Sequence, residues 1–300
     1  MNKYTRFLIL LSIFALLFVV PVGLAQDTVE EVDAFEDVVM PRLEEYLLEV
    51  PELDHYNTIG IDPFIELLAE NDEVVILDVR QPEELETDGI IDGAINIPMR
   101  ELGENLALLP DLDATIVVVC KGGFRATIAM TALHVLGYEN AMVLVGGFGA
   151  WTGADLPVDG ELLDVEAMEV PADIEPLLVE FVAEYMANLP DGWGSVRAEP
   201  LFEEMFDTMP DLILDVRSPG ELEENGFIED SEHIWINEFA DNLDMLPEDY
   251  EVSIVVYCAS SYRAGIVATV MGMMGYENVR NLAGGFNAWV AADLPIIFAE

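Results

Sequence analysis

The chain has 300 residues, above the usual size of one compact domain, with 52% hydrophobic and 23% charged. That is enough apolar material for a folded core and argues against a disordered chain. Its 59 acidic and 11 basic residues give a formal net charge of −48, a surface that repels phosphate backbones and anionic lipid and argues against nucleic-acid binding.

Residues 1–25 open with Lys3 and Arg6 and continue as an apolar run from Phe7 to Val20. Pro21 and Gly23-Leu24-Ala25 follow. A basic start, an apolar middle and small residues at the −3 and −1 positions predict a signal peptide cleaved after Ala25, and so export to the periplasm or cell exterior. The competing reading is an uncleaved membrane anchor. Cleavage leaves nine cationic residues against 59 acidic ones, a net charge of −50, with Lys121 as the only lysine.

The rest of the chain is a tandem repeat. Leu77-Asp78-Val79-Arg80 recurs as Leu214-Asp215-Val216-Arg217, and Cys120 as Cys258. Gly137-Tyr138-Glu139-Asn140 recurs as Gly275-Tyr276-Glu277-Asn278, and Gly146-Gly147-Phe148 as Gly284-Gly285-Phe286. A period near 138 is too long for a solenoid and means two copies of one domain. The first spans 34–160 and the second 173–300, joined by an acidic linker at 161–172. Upstream of each, Glu45-Tyr46 with Pro51 and Glu184-Tyr185 with Pro190 close a helical arm.

In chain order, short apolar runs predict strands over 74–79, 115–120 and 141–145, then over 212–216, 253–258 and 279–283. Unbroken apolar runs of this length suit strands buried on both faces. Helices are predicted over 126–136 and 264–274, each stopped by a glycine, Gly137 or Gly275. Alternating strand and helix give two α/β domains, each a mostly parallel sheet flanked by helices. Ligands bind beyond the carboxyl ends of such strands, where both cysteines fall.

The two loops there are Cys120-Lys121-Gly122-Gly123-Phe124-Arg125 and Cys258-Ala259-Ser260-Ser261-Tyr262-Arg263. A strand ending in a cysteine, a tight loop and a helix start form a nest of backbone N–H groups. That nest, with the positive helix end, stabilises a thiolate. Gly122 and Gly123 permit the turn. Ser260 and Ser261 add hydroxyl donors in the second loop. Arg125 and Arg263 offer a fork of donors to an oxyanion. A lone cysteine at a strand end is most often a small buried residue. Here both cysteines share one repeat position, and Arg80, Lys121, Arg125, Arg217 and Arg263 supply five of the nine cations left after cleavage. Cys120 and Cys258 are therefore read as nucleophiles. Asp78, Arg80, Asp215 and Arg217 are expected to hold the loops in a supporting role, pairing with Glu84 or Glu221. Trp151 and Trp289 are expected in the core.

These motifs resemble the rhodanese-like sulfurtransferases, in the form of a tandem-domain member. The likeness rests on Asp-Val-Arg with Glu84 or Glu221 four residues on, on Gly93-Ala94-Ile95-Asn96-Ile97-Pro98, on the cysteine loops, and on Gly-Gly-Phe with its tryptophan. It implies transfer of sulfane sulfur from thiosulfate or a persulfide donor, through a cysteine persulfide, to cyanide or a thiol. No metal or organic cofactor is implied, and the partners are a small anionic donor and a thiophilic acceptor. In place of the family's histidine after the glycine stand Ile90 and Phe227, and the second copy reads as carrying one extra residue before Asn237. The alternatives are a non-catalytic sulfur-carrying or anion-binding module, and a cysteine-dependent phosphatase or arsenate reductase. A Cys120–Cys258 disulfide is not expected, each cysteine lying in its own pocket.

Overall fold

The computed structural model describes residues 35–298, which fall in one compact unit. Residues 1–25, read above as a signal peptide, lie outside the described residues. A π-helical turn, Phe35–Val39, runs into α1, Met40–Glu49. The first repeat then runs β1, Thr58–Ile59; α2, Ile61–Glu70; β2, Val75–Asp78; α3, Pro82–Asp88; and β3, Ile95–Asn96. It closes with β4, Ile116–Val119; α4, Phe124–Val135; β5, Ala141–Leu144; and α5, Gly147–Gly153. The second repeat has α6, Pro176–Ala187; β6, Ser195–Val196; α7, Ala198–Asp207; β7, Leu212–Asp215; α8, Pro219–Asn225; and β8, Ser231–His233. It ends with β9, Ser253–Tyr257; α9, Tyr262–Met273; β10, Asn278–Leu282; and α10, Gly285–Ala291.

Each repeat builds a five-stranded sheet, ordered β1-β5-β4-β2-β3 and β6-β10-β9-β7-β8. Every pairing is parallel. The six predicted strands are all present, shortened or shifted by about a residue. The four others, β1, β3, β6 and β8, are two or three residues long and carry no apolar run for a sequence reading to find. In β4 all four side chains are buried, as a central strand covered on both faces requires. α4 is buried on every side from Ala126 to Val135, because the sheet lies on one face and α9 on another.

The core clusters repeat. Phe64, Val117, Val119, Phe148 and Trp151 pack together in the first copy, as Leu201, Val255, Tyr257, Phe286 and Trp289 do in the second. Each indole N–H is satisfied by a backbone carbonyl, Pro157 at 2.7 Å or Pro295 at 2.8 Å. Both tryptophans are core residues, as expected. The residue predicted as extra before Asn237 lies elsewhere. Sheet register pairs Asp78 with Asn96 and Asp215 with His233, so the copies match residue for residue up to Asn237. Comparing Pro110–Thr115 with Pro247–Ser253 places the insertion in the turn before β9.

The helical arms join the repeats. Arg42 of α1 donates to the carbonyls of His134 at 2.6 Å and Val135 at 3.0 Å, capping α4. Tyr46 stacks on the His134 ring at 5.3 Å. Burial pushes His134 below its ordinary pKa, and the ring bonds the Ala141 carbonyl at 3.0 Å. α1 also meets the turn Ala240–Met245 of the second repeat, and α6 packs on the turns Met99–Glu101 and Gly103–Leu108 of the first. A Cβ at Gly103 would lie 2.8 Å from that of Ala183, so this crossing needs glycine. The acidic linker follows the first repeat, with the amides of Leu163 and Met168 donating to the carbonyls of Ala94 and Ala107 at 2.9 and 2.7 Å. Among the described residues no helix is long and apolar enough to cross a membrane.

Candidate active site

Both cysteines lie just past the carboxyl ends of central strands, Cys120 after β4 and Cys258 after β9, and each is 1% exposed. Both are free thiols. The Gly123 amide donates to the Cys120 sulfur at 3.1 Å, and α4 begins at once, directing its positive end at the sulfur. Gly123 has φ +105°, a left-handed conformation open to glycine. Gly122 has no such φ and open space around its Cα, so the backbone turn rests on Gly123 alone. In the second loop Ser261 takes the equivalent place at φ +85°. Its hydroxyl donates to the Leu282 carbonyl at 2.9 Å, so it anchors the loop to β10 rather than facing the pocket as expected.

The Gly-Gly-Phe motif supports each loop from below. The amides of Phe148 and Gly149 donate to the carbonyls of Cys120 and Lys121 at 2.7 and 3.1 Å. Those of Phe286 and Asn287 donate to Cys258 and Ala259 at 2.7 and 3.0 Å. A Cβ on Gly147 would press into the Cys120 carbonyl, and one on Gly285 into that of Cys258. The motif is invariant between the copies because the backbones approach this closely.

The charged residues divide differently from the expectation. Arg125 is not an open fork for an oxyanion. Both its terminal nitrogens bond Glu84, at 2.6 and 2.7 Å. Arg263 does the same with Glu221, at 2.7 and 2.6 Å. Glu84 is held below the usual carboxylate range by Arg125. Burial works to raise Glu221, yet Arg263 and the Ser218 amide hold it down to about 2. Each glutamate is also the third helical residue of α3 or α8 and closes the capping box that starts it. The arginine thus ties the cysteine loop to the neighbouring helix.

Asp78 and Arg80 pair with each other rather than with Glu84. Arg80 bonds both Asp78 oxygens at 2.6–3.0 Å and the Gly89 carbonyl at 3.0 Å. Its guanidinium lies 3.7 Å over the Phe148 ring. Arg217 repeats this with Asp215, Gly226 and Phe286. Lys121 points outward, 65% exposed, with its ammonium 3.0 Å from Asp88. Ala259 is half-buried and Ser260 exposed.

Three aromatic residues cross between the copies. Trp193, in the turn before β6, lies 4.9 Å from the Arg100 guanidinium and 5.7 Å from that of Arg125. Tyr56, in the turn before β1, lies 5.8 Å from Arg263 and donates to Asn237 at 2.9 Å. Each loop arginine therefore meets an aromatic ring from the other copy. Sequence reasoning missed this pair, although Tyr56 and Trp193 occupy one repeat position, as do Arg100 and Asn237. The third is Tyr262, assigned to its own loop from sequence. Its hydroxyl accepts the Gly146 amide at 2.7 Å, across in the first copy. Phe124 leans the other way, 3.5 Å from where a Cβ on Gly265 of α9 would stand. Among the described residues no group of three or more His, Cys, Asp or Glu is placed to hold a metal.

Comparison with known proteins agrees with this geometry. The model of the rhodanese-like domain matches twice, at residues 62–154 and 200–292, together more than half of the chain. A sulfurtransferase of Allochromatium vinosum is 31% identical over 107 residues, covering 36% of this chain and 97% of that protein. A thiosulfate sulfurtransferase, GlpE, of Haemophilus influenzae is 41% identical over 51 residues, covering 17% of this chain and 49% of its own. Among solved structures, SseA from Escherichia coli, described as a 3-mercaptopyruvate sulfotransferase of rhodanese fold, covers 76% of this chain and 98% of its own. Its identity is 20% and its TM-score 0.38. Two matched domains, each with a buried cysteine at a strand end, make this chain a member of the rhodanese-like sulfurtransferase family.

Proposed function

We propose that both cysteines turn over as persulfides and that thiosulfate is a donor. The thiolate attacks the sulfane sulfur. A new S–S bond forms as the bond to the sulfite sulfur breaks, and sulfite leaves with that electron pair. The acceptor, cyanide or a thiolate, then attacks the outer sulfur and releases the cysteine thiolate. One observation carries the reading: both terminal nitrogens of the loop arginine are engaged by its glutamate in both copies. A phosphatase-type loop needs that fork free for a tetrahedral oxyanion, whereas a single sulfur atom is served by backbone amides such as that of Gly123. The intact cysteine and arginine in each copy speak against a purely structural remnant.

Treatment with thiosulfate should add about 32 Da, one sulfur atom, to each of Cys120 and Cys258 by mass spectrometry. Thiocyanate formation should survive each single cysteine-to-serine change and vanish in the double variant. Full activity in the double variant, or phosphate-ester hydrolysis much faster than sulfur transfer, would overturn the reading.

A further inference from the structure

The two loops meet. α4 and α9 pack side by side, so closely that a Cβ on Gly265 would stand 2.9 Å from the Thr127 methyl carbon. This brings their N-termini, and both cysteine loops, together. Tyr262 is the fifth residue of the second loop, yet its ring lies over Gly123 of the first. A Cβ on Gly123 would be 2.8 Å from Cε1 and 2.9 Å from Cζ of that ring. The phenol oxygen accepts the Gly146 amide at 2.7 Å. It therefore sits beside the residue whose amide contacts the Cys120 sulfur at 3.1 Å.

An oxygen that accepts from Gly146 keeps its own proton to donate. Burial and the two nearby cysteines push the Tyr262 pKa upward against the lowering effect of the Gly146 bond, so the hydroxyl remains protonated at neutral pH. The second site has no counterpart. Phe124 carries no hydroxyl, and Ser261 stands where Gly123 does, its own hydroxyl bonded to Leu282. Gly123 and Ser261 occupy one repeat position, as do Phe124 and Tyr262. The loop over which the phenol lies has no side chain in its way.

We propose that Tyr262 belongs to the site of the first repeat, where its hydroxyl hydrogen-bonds the outer sulfur carried by Cys120. The inference rests on the sulfur-transfer reading above. Attack on thiosulfate leaves one negative charge on the persulfide and two on the departing sulfite, and the phenol shares its proton with the outer sulfur without giving it up. Hydrogen bonds to charged partners are the strong class, and one that strengthens as the charge develops acts on the rate of the step more than on binding.

The test is Tyr262→Phe in a Cys258→Ser background, with single-turnover persulfide formation at Cys120 followed by mass spectrometry. The rate constant should fall about tenfold with the half-saturating thiosulfate concentration within about twofold. A merely structural role would lower the thermal midpoint and leave the rate constant of the folded protein unchanged, which would overturn the proposal. So would a loss confined to Cys258, measured in a Cys120→Ser background. A second series keeps the Phe variant honest: Gly123→Ser should block Cys120, and adding Tyr262→Phe should restore part of its reaction by removing the hydroxyl that the new Cβ meets. No recovery would overturn this placement of the phenol. If Cys258→Ser with Tyr262 intact takes up no sulfur at Cys120, the sulfur-transfer reading of that loop falls, and this inference with it.

Discussion

At the scale of single residues, charge near the cysteines is spent in two ways. Arg125 and Arg263 are held by glutamates inside the fold, whereas Lys121 is exposed and paired with Asp88. An exposed ion pair is worth little, so that lysine is easily turned toward an arriving anion. Thiosulfate is a dianion, and at physiological salt repulsion by the acidic surface is screened only beyond roughly 8 Å. The first loop has Lys121 next to its nucleophile, and the second has Ala259. In a Cys258→Ser background, Lys121→Ala should raise KM for thiosulfate several-fold at low salt and less at high salt. An equal KM at all ionic strengths would remove Lys121 from donor binding.

At the scale of elements, the site is a strand end, a tight loop and a helix start, clamped by the Gly-Gly-Phe turn that opens α5 or α10. The glycines are not equivalent. Gly147 has φ +56° and no room for a Cβ against the Cys120 carbonyl, whereas Gly122 has nothing within 4 Å. Gly147→Ala should cost about 1–3 kcal/mol of stability from the left-handed backbone, with the clash adding to it. Gly122→Ala should change stability by less than about 1 kcal/mol. Denaturant unfolding of the two variants checks this, and equal costs would contradict the geometry. The sequence showed Gly122 and Gly123 alike as permissive for the cysteine-loop turn. Which of them the turn needs depends on φ and on the nearest backbone, and neither can be read from composition.

At the scale of the whole molecule, the repeats are interlocked rather than strung together. α6 of the second copy packs on turns of the first, α1 reaches the second, and Trp193 and Tyr56 cover arginines across the divide. We also propose export with cleavage after Ala25, motivated by the basic start and apolar run of residues 1–25. Intact-mass measurement on protein from its native host should show residues 1–25 removed. Full-length protein extracted with membranes would establish an anchor instead.

The amino-acid sequence by itself determined the duplication, the parallel α/β class and the place of both cysteines. Repeated motifs and unbroken apolar runs are local properties that survive without coordinates. The core role of Trp151 and Trp289 was legible for the same reason. Tertiary structure decided the partners. Asp78 could have paired with several cations and Glu84 with several more. Only the path of the chain sets Arg80 against Asp78 and Arg125 against Glu84. The same holds for Tyr262, which sequence assigns to the loop that contains it. A side chain as long as tyrosine's can reach past its own loop, and the packing of α4 on α9 puts the backbone of the other loop beneath it. Identity and spacing are written along the chain, whereas contact between two copies is fixed by how their helices pack.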